Sequence, residues 1–480
     1  MLAAIATLVL AVGATPVPKM TGPIPVTSDS YPFMAANKST PAFDLSKVGY
    51  IEEEYLVSGN ANVYDWAPDG SVTVKTPNAP YTTRILVRRP STGFSGTVIV
   101  ELMFGARRFD WSMMWGFSHD YIIDNRHAWV GITMPGSADG LKKFNPGRYA
   151  DVSFANPNPG APCAGAQNNA PAAFEDGLRW DMISQVGAAL KGDRLRAQYL
   201  FLTTQGADVS TYANAIHATL QNGKPVYDGY LLKAPFTMGR INQCAPPVAA
   251  NDPRQAIKNV GVPVIAVAAQ GEIIGGTFAS RRADSDEPND RFRLYEVASA
   301  GHIDKFAYFG FPQQPDQVAA VGNAQGTVDW PFNAKCEPDI PLMDPSLIGF
   351  TFNASFAALD QWVRKGTAAP RAPQIELKDA GTAQASVVTD KLGHGVGGAR
   401  TPFIDIPDAT YFTNSPGPGT CREMGHKTAY DAAKMMEVYG SRKNYAAKFA
   451  EAVDRLVKER WLTEGDGKRL KQAVSANSGN

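Results

Sequence analysis

Three residues, taken in chain order, have the chemistry of a hydrolytic relay: Thr204, Glu272 and His302. Thr204 lies in Tyr199-Leu-Phe-Leu-Thr-Thr-Gln-Gly-Ala-Asp208, which reads as a strand, a tight turn of small residues and then a helix carrying Val209 to His217. A hydroxyl at such a turn sits on a strained backbone, and the helix behind it offers a dipole and a free N–H to an oxyanion. The usual pattern for that turn is G-x-S-x-G. Set on Leu202-Thr203-Thr204-Gln205-Gly206, it puts Thr204 at the serine and Leu202 at the leading glycine. No intact G-x-S-x-G occurs in the chain. Glu272 follows an apolar run in Gln270-Gly271-Glu272, and His302 stands in the loop Ala298-Ser-Ala-Gly-His302-Ile-Asp304. In this order His302 takes the hydroxyl proton, while Glu272 holds its tautomer and stabilises the imidazolium.

Other residues compete for these roles. Asp284, Asp286 and Asp304 are alternative acids. Thr203 and Ser210 are poorer hydroxyls, one inside the strand and the other on the helix. The backbone N–H groups of Gln205 and Phe104 are the expected oxyanion donors. Trp111, Met113, Met114, Trp115 and Phe117 form an apolar cluster that reads equally as core or as the wall of an acyl pocket. Trp111, Trp115 and Phe104 are the pocket candidates. His119, His127 and His217 read as structural. No H-E-x-x-H or similar spacing points to a metal, and no cofactor is expected.

The elements that must carry these residues follow from periodicity. Apolar, β-branched runs at Arg84–Val87, Thr97–Leu102, Ala128–Thr133, Tyr199–Thr203, Tyr227–Leu232, Val262–Ala268 and Arg293–Val297 read as strands. Between them, Phe174–Lys191, Asp208–Leu220 and Ser346–Val363 read as helices, the first with Leu178, Met182, Val186 and Leu190 on one face. Strands alternating with helices predict an α/β fold with a mostly parallel sheet flanked by helices. Ser28–Val74 reads as antiparallel strands leading into the sheet, and Thr367–Pro418 as a long loop excursion. Thr428–Val474 reads as charged helices, with Tyr445, Phe449, Val453 and Leu456 on one stripe that packs back on the core. Residues 20–480 are expected to form a single unit that includes the C-terminal helical extension 421–480.

Composition narrows the partners. The 480 residues carry 46 Lys plus Arg against 46 Asp plus Glu, so nothing suggests a polyanion such as nucleic acid. A hydrophobic fraction of 44% supports a large core, and no run is long enough to span a membrane. Leu2–Gly13 reads as the apolar part of a signal peptide cut near Ala14, which predicts export to the periplasm or medium. The even set Cys163, Cys244, Cys336 and Cys421 then suggests up to two disulfides, with three pairings open. The expected partner is a small, largely uncharged molecule, and oligomeric state is left open.

Several segments carry a family resemblance. They are Tyr50-Ile-Glu-Glu-Glu-Tyr55, Pro80-Tyr-Thr-Thr-Arg84, Gly96-Thr-Val-Ile-Val-Glu-Leu102, His119-Asp-Tyr121 with Ala128-Trp-Val-Gly-Ile-Thr133, Trp180-Asp-Met-Ile-Ser-Gln185, the elbow, Arg293-Leu-Tyr-Glu-Val297 with His302, and Gly398-Ala-Arg-Thr-Pro402. On these the chain resembles the exported "alpha/beta hydrolase domain-containing" family of bacteria and fungi. The resemblance implies an α/β-hydrolase fold and hydrolysis of carboxylic esters or lactones. Members carry Ser-Gln at the elbow and commonly an Asn after the Glu-Leu-Met strand end. Here those places read Thr204-Gln205 and Phe104. Two functions follow as expectations: ester or lactone hydrolysis by a Thr204/His302/Glu272 triad, or a non-hydrolytic descendant that binds a ligand or uses His302 alone.

Overall fold

The computed structural model describes residues 14–160, 163, 173–192, 194–234, 238–249, 252–257, 260–274, 281–324, 335–337 and 339–477. The apolar run read as a signal peptide, Leu2–Gly13, lies outside the described residues, as do parts of the long loops after 160 and 324.

Ten strands make one sheet. In chain order they are β1 (Lys19–Thr21), β2 (Tyr50–Trp66), β3 (Val72–Pro90), β4 (Thr97–Leu102), β5 (Ala128–Ile132), β6 (Tyr199–Gln205), β7 (Gly229–Lys233), β8 (Val264–Ala269), β9 (Ser285–Glu287) and β10 (Asp290–Val297). Their spatial order is β1-β2-β3-β5-β4-β6-β7-β8-β10-β9. The six strands from β5 to β10 are parallel, and the three N-terminal strands and β9 join antiparallel at the edges. Every residue of β4, β5, β7 and β8 is buried, as a parallel strand covered on both faces requires. The strands read from sequence all lie in this sheet. The antiparallel reading of Ser28–Val74 holds as the long β2–β3 pair.

Helices cover the sheet: α1 (Met113–Asp124), α2 (Arg179–Lys191), α3 (Asp208–Thr211, continuing as a π-helical turn to Ile216), α4 (Gln270–Ile273) and α5 (Leu347–Lys365). The chain ends in α6 (Ala432–Tyr439), α7 (Arg442–Lys458) and α8 (Glu464–Asn477). Among the described residues no helix is long and apolar enough to cross a membrane. On α7, Phe449, Val453 and Leu456 are buried and Tyr445 packs edge-on against Tyr439, so the stripe faces inward.

Two buried carboxylates organise the N-terminal half. Glu54 takes Arg84 Nε at 2.6 Å and Tyr149 Oη at 2.7 Å on one oxygen, and Arg148 on the other. Glu101, at the end of β4, accepts the N–H groups of Met114 (2.8 Å) and Trp115 (3.1 Å) and the indole N–H of Trp129 (2.8 Å). It thereby satisfies the open N-terminus of α1. Burial pushes the Glu101 carboxyl up to about 7 against the pull of those donors.

The four cysteines pair as Cys163–Cys244 and Cys336–Cys421, closing loops of 81 and 85 residues. Cross-links of that span restrict the unfolded chain, and each is expected to contribute about 2–4 kcal/mol. A non-reducing peptide map should therefore recover these two linked pairs. Cys336→Ser/Cys421→Ser should lower the unfolding free energy by that amount in denaturant titration, and any other pairing would contradict the fold described.

Candidate active site

Strands β6, β7, β8 and β10 are neighbours, so their carboxyl ends stand side by side. Each delivers one residue to the same point: Gln205 ends β6, Lys233 ends β7, Glu272 lies on α4 directly after β8, and His302 follows β10. The carboxyl edge of a parallel sheet is where an α/β fold leaves room for a ligand.

The structure brings Glu272 and His302 together through a short hydrogen bond from His302 Nδ1 to Glu272 Oε1. With Nδ1–H committed to the carboxylate, the lone pair stands on Nε2, and Gln205 Nε2 donates to it at 3.0 Å. The Glu272 oxygen that meets His302 also accepts Lys233 Nζ at 3.2 Å, while Oε2 accepts the Ala269 N–H at 2.7 Å. Burial works against the Glu272 charge. The Lys233 ammonium, the His302 ring and the Ala269 N–H outweigh it and hold the carboxyl below its usual range. Of the alternative acids, Asp284 and Asp286 turn to Arg293. Asp304 is buried and accepts Ser346 Oγ at 2.6 Å and the Phe306 N–H at 2.9 Å.

Thr204 is not brought to His302. Its hydroxyl donates to the carbonyl oxygen of Leu102 at 2.7 Å, within the sheet. Thr204 and Gln205 are successive strand residues, so their side chains leave opposite faces, and Gln205 has the face toward His302. The tight turn itself begins one residue later. Gly206 has φ +94°, and its N–H closes on Lys233 O at 3.2 Å. Ala207 is already helical, at φ −79° and ψ −17°. A strained, left-handed residue between strand end and helix start is the nucleophile's place in such an elbow. The pattern therefore aligns as Thr204-Gln205-Gly206-Ala207-Asp208, with glycine where the serine would stand. A Cβ built on Gly206 meets no atom of the described residues within 4 Å, so a side chain has room there. Gly206 and Lys233 were missed from sequence. The one available signal was the glycine itself, two residues before a helix-starting Asp208.

Three further expectations change. The Phe104 N–H donates to Trp111 O at 2.8 Å and is not open to an oxyanion. Gln205 is a strand residue, so its N–H runs in the plane of the sheet, and the first N–H beyond the turn is that of Ala207. Trp111 and Trp115 are core residues, 2% and 1% exposed. Trp111 packs at a tilt on Tyr308 with ring centres 4.4 Å apart and donates its indole N–H to Ala307 O. Trp115 packs against Trp129 under the Arg88 guanidinium. Phe104 alone of the three is partly exposed, edge-on to Trp111.

A family model described as an alpha/beta hydrolase domain matches residues 20–472. The chain belongs to that family. Solved structures similar to it include a lipase in its open form, at 10% identity over 37% of this chain and 45% of that one, with a TM-score of 0.22. The match thus spans less than half of that lipase. Esterase Est22 is 10% identical over 57% of this chain and 80% of its own, with a TM-score of 0.29. XC6422 from Xanthomonas campestris, described as an a/b serine hydrolase without lid, is 10% identical over 54% and 92%, with a TM-score of 0.26. No curated protein matches this family member.

The buried Asp304 gives a pH signature. Burial raises its carboxyl from 3.8 to about 6 in the folded protein. Between those values the folded chain keeps a proton that the unfolded chain has released. The group's contribution to stability is thus complete below about pH 3.8 and lost as pH rises through about 6. Asp304→Asn should flatten that part of the Tm profile in calorimetry. An unchanged slope between those pH values would contradict the assignment.

Proposed function

We propose that this α/β-hydrolase-family protein hydrolyses a carboxylic ester or lactone of a small, largely uncharged molecule, with His302 as general base on a water molecule above Gly206. The observation that carries the reading is the His302–Glu272 pair standing beside an elbow without a nucleophilic side chain. Nε2 of His302 faces that elbow, where it accepts the Gln205 amide in the resting protein, a contact that the attacking water replaces. A water in the space left by the absent side chain takes the attacking role. His302 removes its proton as it adds to the carbonyl, and Glu272 stabilises the imidazolium. The Ala207 N–H, at the start of α3, receives the developing oxyanion charge. The tetrahedral intermediate then expels the alkoxide, which takes the proton back from His302. No acyl-enzyme forms. Thr204 serves the sheet edge through its bond to Leu102 O. Export is part of the proposal, since two disulfides persist best in an oxidising compartment.

One observation favours a second reading. The Gln205 amide occupies His302 Nε2, as it would in a ligand-binding protein that had given up turnover.

Turnover of p-nitrophenyl acetate and a simple γ-lactone separates the two. His302→Ala should lower the rate by roughly 10²-fold or more, while Thr204→Ala stays within a few-fold of the parent. Loss of activity in Thr204→Ala matching that of His302→Ala, in folded protein, would overturn the water mechanism. A rate that His302→Ala leaves untouched would favour the binding protein. Gly206→Ser adds a companion test. It should cost about 1–3 kcal/mol through its backbone conformation, yet gain covalent labelling by a fluorophosphonate that the parent lacks. A Gly206→Ser protein that is folded and unlabelled would show that the elbow lies elsewhere.

A further inference from the structure

Lys233 closes β7, whose other residues are Gly229, Tyr230, Leu231 and Leu232, all buried. Its side chain is wholly buried as well. An ammonium in such a place is costly unless an anion meets it, and the anion here is the carboxylate that also holds His302. Two donors converge on one atom, Glu272 Oε1: Lys233 Nζ at 3.2 Å and His302 Nδ1 in the short bond.

We infer that Lys233 is a positioning residue that divides the charge of Glu272 and so keeps His302 a neutral, proton-accepting base at lower pH than an unshared acid–His pair would. Its catalytic meaning rests on the hydrolytic reading above. In an unshared pair the whole carboxylate charge favours the imidazolium. Here part of that charge is balanced before the ring protonates. The fixed ammonium also opposes a second positive charge a few ångströms away.

Among the described residues, few other charged groups face the pair. Glu272 comes from α4, and Gln205, which is neutral, from β6. Asp304 lies on the His302 loop itself, with Asp344 beyond it, and Lys233 pulls against the burial that raises Asp304. From the segment packed on that loop, Glu423 contributes a backbone oxygen, accepting the Ile303 N–H at 3.1 Å.

The test is His302 titration by NMR in the resting protein, assigned by the resonance lost in His302→Ala, run beside the acid limb of ester turnover. Lys233→Met removes charge and hydrogen bond, Lys233→Gln removes the charge alone, and Lys233→Arg keeps the charge. Both neutral variants should move the titration midpoint and the acid limb up by roughly one pH unit, and Lys233→Arg should leave them close to the parent. Should the Met variant not fold, the Gln variant carries the test. A folded neutral variant whose His302 titrates as in the parent overturns the inference, whatever the turnover does. A shifted titration in a protein that hydrolyses nothing upholds the role of Lys233 and sinks the hydrolytic reading instead.

Discussion

The carboxylate of Glu272 is the atom group on which the site turns. It is buried, so its charge must be met by donors, and three meet it: His302 Nδ1, Lys233 Nζ and the Ala269 N–H. Each comes from a different strand end of the parallel block. Moving any one strand along its neighbour would strip a buried charge of a partner, at a cost of several kcal/mol. The register of β7, β8 and β10 and the position of the histidine are thus fixed by one electrostatic requirement. Glu101 does the same at the neighbouring β4, where it ties α1 to the sheet.

Against that rigid pair stands the bare turn. Gly206 takes a positive φ that glycine adopts freely and other residues adopt only at a cost. A serine in this place is tolerated in related architectures because its chemistry requires it. With glycine the strain is gone, and so is the side chain. What remains is His302, whose Nε2 meets the Gln205 amide, and a helix start beyond the turn. On the function proposed above, that arrangement serves activation of water and not formation of a covalent intermediate.

Much of this was legible in the chain. Continuous apolar runs such as Val-Ile-Ala-Val-Ala marked doubly covered parallel strands, because they are short, rich in β-branched residues and bounded by turn residues. Glu272 and His302 were readable because each follows a strand in a short loop, where a fixed order of elements leaves few choices. Thr204 was misplaced by two residues relative to the turn. Thr203, Thr204 and Gln205 all suit a strand, and only the backbone decides where the strand stops. Lys233 fell just past the strand read as Tyr227–Leu232 and drew no notice, since a partner 39 residues away leaves no local mark. Trp111 and Trp115 read equally well as wall or core. The need of Glu101 for the Trp115 N–H, and of the Trp111 indole for Ala307 O, drew them inward. Disulfide pairing depended on loops whose meeting in space has no sequence signature.

The central claim is that hydrolysis at this site proceeds without a bond to the protein. Intact-protein mass spectrometry of acid-quenched turnover with an activated acetyl ester tests it most directly. The account predicts the unmodified mass at every time point while product accumulates. An acetyl adduct that rises and decays at the turnover rate, mapped to Thr204 or to any other side chain, would contradict it.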